Sequence, residues 1–272
     1  TIAGIIQLFF LIYITKKFYK PALSFSLKLS SKVRFFFKKL IPSILSSGVT
    51  QINILVGTII ASFQSGAVSY LYYADRVYQI NLAIAGIAVG TVSLPVLSKA
   101  FKMKNIKKIS DIQNKSFELS LLFSIPASFG LILASNEIVN ALFGYGSFSL
   151  NDVEMTAAAL KFFGYGVPAF ALIKILSNFF FARDNTKTPF YISVFIVFLN
   201  ILISVSLFNK IGFIIIPIAT SISTWVGVFI YTYLLNSKKI LLLKSQFMKN
   251  FIKILISTII MSSILLFLLN KY

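Results

Sequence analysis

The 272-residue sequence contains no cysteine and no histidine, and it has only seven aspartate and glutamate residues. Without cysteine there are no disulfides and no thiolate metal ligands. Without histidine the chain lacks the commonest metal ligand and acid–base group. A P-loop for nucleotide phosphates is also missing. These absences argue against metal-dependent, redox and ATP-hydrolysing enzymes, so we predict a protein that is not an enzyme and uses no cofactor.

Charged residues are scarce and hydrophobic residues are abundant. Charged side chains make up 12% of the chain and hydrophobic ones 57%, whereas a soluble domain has about 25% charged residues. Several apolar stretches of about 20 residues follow one another, each long enough to cross the roughly 30 Å hydrocarbon core of a bilayer as a helix. We therefore predict an all-α polytopic membrane protein.

The hydropathy pattern predicts eight transmembrane helices. Their approximate bounds are 1–14, 36–63, 66–97, 117–134, 157–181, 190–208, 211–235 and 248–269. The chain opens inside an apolar run without an initiator methionine or a charged leader, so we expect a protein cut within a transmembrane helix. The composition of Lys99–Lys115 fits either a basic amphipathic helix or a solvated loop, and Asn136–Val153 fits either a short interfacial helix or a loop.

The net charge of +19 belongs to loops rather than to a nucleic-acid surface. Basic residues, mostly lysines, cluster in the segments 16–39, 99–115, 183–187 and 238–253. The segments 64–65 and 136–154 contain none. Under the positive-inside rule the basic segments are cytoplasmic loops of an inner-membrane protein, which places residues 1 and 272 on the outer side. Anionic membrane lipids are then the expected partners, and nucleic acid is not.

The most unusual charges are the neighbours Asp75 and Arg76. They are the only charged side chains among the 59 residues between Lys39 and Lys99. They lie about 10 residues from the outer end of the third span, which at about 1.5 Å per residue is close to mid-bilayer. A charge at that depth is costly and usually faces a wet cavity or the bundle interior. Arginine suits phosphate because its guanidinium offers planar bidentate donors, but a buried ion pair that locks two helices is the alternative.

Further polar groups lie near this depth. Lys174 is halfway along the fifth span, where it either faces a cavity or snorkels toward the inner surface. Gln79 and Asn81 follow Arg76 and either line a wet interior or form ordinary interhelical hydrogen bonds. Gly86 and Gly90 have the GxxxG spacing that permits close helix contact. The candidate substrate-binding residues are Arg76, Asp75, Lys174, Gln79 and Asn81.

Three stretches resemble the MurJ (MviN) family of lipid II flippases, within the multidrug/oligosaccharidyl-lipid/polysaccharide exporter superfamily. They are Tyr72–Arg76 with the following Leu82–Ser98, Phe143–Phe148, and Phe180–Pro189. The resemblance implies fourteen transmembrane helices in two lobes around a central cavity, of which the eight spans would be helices six to thirteen. Residues 1–110 would then end the N-terminal lobe, and residues 111–272 would form the C-terminal lobe.

The resemblance also implies that the protein moves lipid II from the inner to the outer leaflet by alternating access, for peptidoglycan synthesis. Arg76, together with Lys174, would hold the diphosphate of lipid II, with Asp75 beside it. Many family members carry glutamate where this chain has Gln79. Cell-wall synthesis proteins would be further partners. Two alternatives stay open: an exporter of another lipid-linked oligosaccharide or of organic cations, and a non-transporting membrane scaffold subunit in which Asp75 and Arg76 pair across helices.

Overall fold

The computed structural model describes residues 2–18 and 30–271, which are helical and contain no β-strand. The α-helices of these residues are α1 (Ile2–Phe18), α2 (Ser31–Ala61), α3 (Ala67–Leu82), α4 (Val89–Lys102), α5 (Ile106–Leu133), α6 (Ser135–Phe143), α7 (Leu150–Phe181), α8 (Lys187–Ile211), α9 (Ile215–Ser237) and α10 (Ser245–Lys271). A π-helical turn, Ala83–Ala88, joins α3 to α4, and a 3-10 turn, Gly212–Ile214, joins α8 to α9.

The prediction of an all-α polytopic membrane protein is confirmed. The eight predicted spans correspond to α1, α2, the α3–α4 stretch, α5, α7, α8, α9 and α10. By length and composition, five helical stretches of the described residues are long and apolar enough to cross a membrane: Ala67–Lys102, Ile106–Leu133, Leu150–Phe181, Lys187–Ser237 and Ser245–Lys271. The fourth of these contains both α8 and α9. Shorter apolar helices cover Gly4–Lys16 and Gln51–Ala61.

The chain divides into two compact units, Thr1–Ile41 and Pro42–Tyr272. The first contains α1 and the start of α2, and the second contains every element discussed below. Because α4 and α5 pack together inside the second unit, that unit runs across residue 110, and the lobe boundary proposed there stays a prediction. The predicted outer positions of residues 1 and 272 and part of the basic segment 16–39 lie outside the described residues.

One loop prediction is wrong and another is resolved. Lys99–Lys115 forms neither a separate amphipathic helix nor a solvated loop, because α4 continues to Lys102 and α5 already begins at Ile106. The Asn105 side chain caps α5 by accepting a hydrogen bond from the Lys108 N–H at 3.0 Å. At the other end of α5, the short helix α6 occupies much of the segment predicted as either an interfacial helix or a loop.

Helix α7 is the centre of the second unit, where it packs against α3, α5 and α9. Its start is held by a capping box: the Ser149 hydroxyl accepts from the Asp152 N–H at 3.2 Å, and the Asp152 carboxylate accepts from the Ser149 N–H at 2.8 Å. The Tyr70 hydroxyl also donates to Asp152 at 2.9 Å. The same carboxylate therefore ties the start of α3 to the start of α7.

Close contact between the α3–α4 stretch and α7 depends on the two glycines, as their spacing predicts. A Cβ atom on Gly86 would lie 3.0 Å from the Cα of Ala171, and one on Gly90 would lie 3.1 Å from the Nδ2 of Asn178. The Asn178 amide donates to the Gly90 carbonyl at 2.7 Å. Gly86 lies inside the π-helical turn, a feature often found at functional sites. Gly86 lies beside Ala171 and Gly90 beside Asn178, so residue numbers rise in the same direction along both helices, which therefore run parallel.

The linker between α9 and α10 is held by buried side chains of α5. Gln113, which is fully buried, donates to the Ile240 carbonyl at 3.0 Å and accepts from the Leu242 N–H at 3.1 Å. Asn114 donates to the Leu242 carbonyl at 2.8 Å and accepts from the Lys244 N–H at 2.9 Å. The linker is not helical, so these side chains supply the partners that its backbone groups would otherwise lack.

Candidate functional site

Arg76 lies on the exposed side of α3, within the long apolar helical stretch Ala67–Lys102. Its Nη2 donates to the Tyr72 hydroxyl at 3.2 Å, and its Cζ atom lies 4.7 Å from the centroid of the Tyr72 ring. Tyr72 is one helical turn earlier and is itself 54% exposed. The ring therefore supports the guanidinium by a cation–π contact and leaves its other N–H donors available to an anion.

Asp75 points away from Arg76, because adjacent helical positions are about 100° apart. It is half-buried and lines a cavity of about 220 Å³ between α2, α3, α8 and α9. The Gln79 amide donates to its Oδ2, and the Tyr78 hydroxyl interacts with it as well. These contacts of Asp75 lie within α3, as does the contact of Arg76 with Tyr72. Neither side chain forms the ion pair across helices that the scaffold alternative predicts, as far as the described residues show.

The cavity beside Asp75 has a polar wall built from three helices. Asn200 of α8 donates to the Oδ1 of Asn53 on α2 at 2.7 Å, and Ser204 donates to the Oδ1 of Asn200 at 3.3 Å. Thr220 of α9 accepts from Asn200 at 3.4 Å. From the sequence, Asn53 either adds to a wet interior or forms an ordinary interhelical hydrogen bond, whereas Asn200, Ser204 and Thr220 are not singled out. The one available signal is the four-residue spacing of Asn200 and Ser204, which puts both on one helical face.

Lys174 lies in a different groove, of about 630 Å³, between the α3–α4 stretch, α7, α8 and α9. Its side chain is exposed. A Cβ atom on Gly86 would lie 3.5 Å from the Lys174 Cγ, and Gly86 is level with Ala171. The start of its stem leans toward the start of α7, as helical side chains do in general. The place of Lys174 in the lining of the groove agrees with the cavity-facing alternative.

Four of the five predicted site residues thus separate into three places. Arg76 is on the exposed side of α3, and Asp75 with its partner Gln79 is beside the smaller cavity. Lys174 is in the larger groove, which neither Arg76 nor Asp75 lines. Asn81 is half-buried and lines neither space. The structure therefore does not gather the five residues into one pocket.

Basic side chains meet at the end of the second unit where α4, α7 and α9 finish. The guanidinium carbon of Arg183 lies 4.4 Å from the centre of the Phe101 ring, and partial burial lowers the pKa of Arg183. Lys244, in the linker before α10, forms an ion pair with Asp111 near the start of α5. Three of the basic segments, 99–115, 183–187 and 238–253, therefore share one end of the bundle.

Comparison with known proteins gives a consistent assignment. A family model described as "Lipid II flippase MurJ" matches residues 1–272. A probable lipid II flippase MurJ of Rickettsia prowazekii (strain Madrid E) is 37% identical over 243 residues, which cover 88% of this chain and 47% of the relative. A probable lipid II flippase MurJ of Rhizobium tropici is 34% identical over 85% of this chain and 44% of the relative. The chain thus spans about half the length of these curated relatives.

Solved structures agree with the sequence matches. A structure described as lipid II flippase MurJ in an inward closed conformation has a TM-score of 0.73 and 30% identity, and the match covers 93% of this chain and 52% of that one. An outward-facing multidrug resistance MATE family transporter has a TM-score of 0.64 at 17% identity, over 80% of this chain and 50% of that one. At that identity the second match establishes a shared fold alone.

Proposed function

Because the chain belongs to the lipid II flippase MurJ family, we propose that it acts in moving lipid II from the inner to the outer leaflet of the bacterial inner membrane. Lipid II is a disaccharide with a pentapeptide, carried on undecaprenyl diphosphate. The movement would proceed by alternating access of two lobes and would serve peptidoglycan synthesis. The family is named for transport rather than for bond-making chemistry, so no enzymatic step is proposed.

The observation that carries the proposal is the setting of Arg76. An arginine within an apolar membrane-spanning stretch is costly unless it faces water or an anionic ligand. Arg76 is exposed, and its contact with Tyr72 employs only part of its hydrogen-bonding capacity. A diphosphate is a suitable ligand because it accepts several charge-assisted hydrogen bonds from one planar guanidinium.

Asp75 and Gln79 would support the transport path rather than contact the diphosphate. Their mutual hydrogen bond leaves Asp75 facing the cavity that contains the Asn53–Asn200 pair. Helix α3 packs against α5 and α7, and this polar cavity lies between it and α2, α8 and α9. Asn81 would have a supporting role at most, since it lines neither space.

The proposed orientation places the basic end of the second unit in the cytoplasm. The shared location of the segments 99–115, 183–187 and 238–253 supports it, because the positive-inside rule acts on loops close to the membrane. Anionic lipids of the inner leaflet would then contact these lysines. Cell-wall synthesis proteins would be partners through the common pathway of the substrate.

Complementation tests the proposal. The complete natural gene product that carries this chain should support growth of a strain depleted of its own lipid II flippase. Arg76→Ala should abolish growth, whereas Arg76→Lys, which keeps the charge without the planar fork, should restore it in part. Lys161→Ala is the matched control, because Lys161 is an exposed cation of α7 outside both cavities. Growth with Arg76→Ala at equal membrane abundance would show that the assigned role is wrong.

A further inference from the structure

We infer that Lys174 binds a second anionic group of the substrate, a carboxylate of the peptide, while Arg76 binds the diphosphate. This inference rests on the proposed function, and it replaces the sequence-based expectation that both cations hold the diphosphate together. It concerns which part of the substrate occupies the groove of about 630 Å³ beside α7.

The two cations are far apart along the bundle. Arg76 and Gly86 are ten residues apart on one continuous helical stretch, which corresponds to about 15 Å of rise. The Lys174 Cγ lies beside Gly86, and the Arg76 guanidinium lies beside Tyr72, one helical turn farther from Gly86 than Arg76 itself. The two phosphorus atoms of a diphosphate share one bridging oxygen, so one diphosphate is too short to touch both cations in this arrangement.

Lys174 is placed as a ligand-binding group rather than as a structural one. It is exposed on α7, although α7 is the most buried of the five long apolar stretches: 72% of its most apolar segment is buried inside the structure. Its neighbour Ile175 is fully buried in the core. An ammonium in such a span is costly without an anionic partner, and acidic residues are absent from the described lining of its groove. A ligand would therefore supply the missing negative charge.

The polar side chains around Lys174 donate hydrogen bonds to the backbone, so the Lys174 ammonium is the group that would attract an anion most strongly. The Thr91 hydroxyl donates to the Ile87 carbonyl at 2.8 Å, and the Ser177 hydroxyl donates to the Lys174 carbonyl at 3.1 Å. The Asn178 amide is committed to Gly90. These two hydroxyls and one of the two Asn178 N–H groups are thus used within the protein, and Lys174 supplies the one charge of the described lining. Such a charge suits a single carboxylate, whereas the planar fork of arginine suits a diphosphate.

Binding measurements with two lipids test the inference. Lipid II and the same undecaprenyl diphosphate disaccharide without its peptide would be titrated onto the purified complete gene product in detergent, followed by native mass spectrometry. Lys174→Gln should weaken lipid II binding about tenfold, the loss of one charge-assisted contact, and should leave the peptide-free lipid unaffected. Arg76→Gln should weaken both lipids. Lys174→Arg should retain wild-type binding of lipid II, and Lys161→Gln is the control for loss of an exposed α7 cation.

Three outcomes would overturn the inference. Equal weakening of both lipids by Lys174→Gln would mean that Lys174 contacts the diphosphate, and no weakening of either would mean that it contacts no anion of the substrate. In both cases the proposed function stands, because the wild type binds both lipids. Failure of the wild type to bind either lipid would overturn the proposed function together with the inference. Thermal unfolding of each variant shows whether a loss of binding comes from misfolding.

Discussion

Asp75 and Arg76 are adjacent in the chain but face different surroundings. Asp75 lines the cavity between α2, α3, α8 and α9, and Arg76 stands on the exposed side of α3 over the ring of Tyr72. The Asp75 carboxylate accepts a hydrogen bond from the Gln79 amide and so does not occupy the N–H donors of the Arg76 guanidinium. The two adjacent charges therefore have different partners, although Tyr72, which supports Arg76, also lines the cavity beside Asp75.

Because α7 lies so close to the π-helical turn, we predict that any side chain at position 86 destabilises the protein. In Gly86→Ala, the new Cβ would lie 3.0 Å from the Cα of Ala171, so backbone must shift. Overpacking of this kind costs about 1–3 kcal/mol, and we expect a lower thermal unfolding midpoint in detergent. Gly130→Ala in α5 is the control, because no atom lies within 4 Å of a Cβ there. Equal midpoints for the two variants would refute the close contact.

The buried amides of α5 predict that the α9–α10 linker depends on Gln113. In Gln113→Leu, the Ile240 carbonyl and the Leu242 N–H lose their partners. Unsatisfied buried backbone groups cost about 1–3 kcal/mol, so the unfolding midpoint should fall and proteolysis within the linker should accelerate. Gln51→Leu serves as the control, since Gln51 is exposed on α2. Unchanged proteolysis of the linker would argue against its attachment to α5.

The proposed orientation predicts opposite labelling of the two ends of the second unit. Because these 272 residues contain no cysteine, single-cysteine variants need no background substitutions within them. Tyr145→Cys and Lys239→Cys both place the thiol at an exposed position. In intact spheroplasts a membrane-impermeant maleimide should label residue 145 and leave residue 239 unlabelled until the membrane is permeabilised. The reverse pattern would invert the topology.

The helical spans were predictable because the bilayer imposes a minimum length of apolar sequence, and composition alone reveals it. Boundaries were less accessible where lysines lower the hydropathy of a continuing helix. Hydropathy places the fourth span from about residue 117, yet α5 begins at Ile106, and only the cap at Asn105 marks that start. The π-helical turn was beyond sequence reasoning, because its hydrogen-bond register leaves no trace in composition.

The candidate residues can be selected one by one from the sequence, and their roles stay predictions, but their arrangement cannot be read from it. The cost of a charge in an apolar span identifies Arg76, Asp75 and Lys174 without any structure. Their separation could not be foreseen, because it depends on how α7 seats against Gly86. The Asn200–Asn53 hydrogen bond joins residues 147 positions apart, and no local pattern predicts that pairing.

Reconstitution into liposomes tests the central claim most directly. The complete gene product would be incorporated with fluorescent lipid II, and transfer between leaflets would be followed by the loss of fluorescence to an external quencher. We predict that the wild type moves lipid II faster than protein-free liposomes do. We also predict that Arg76→Ala slows transfer at least about tenfold, the effect of losing one strong contact to the diphosphate, without a change in thermal unfolding. Transfer by Arg76→Ala at the wild-type rate, or no transfer by the wild type, would contradict the account.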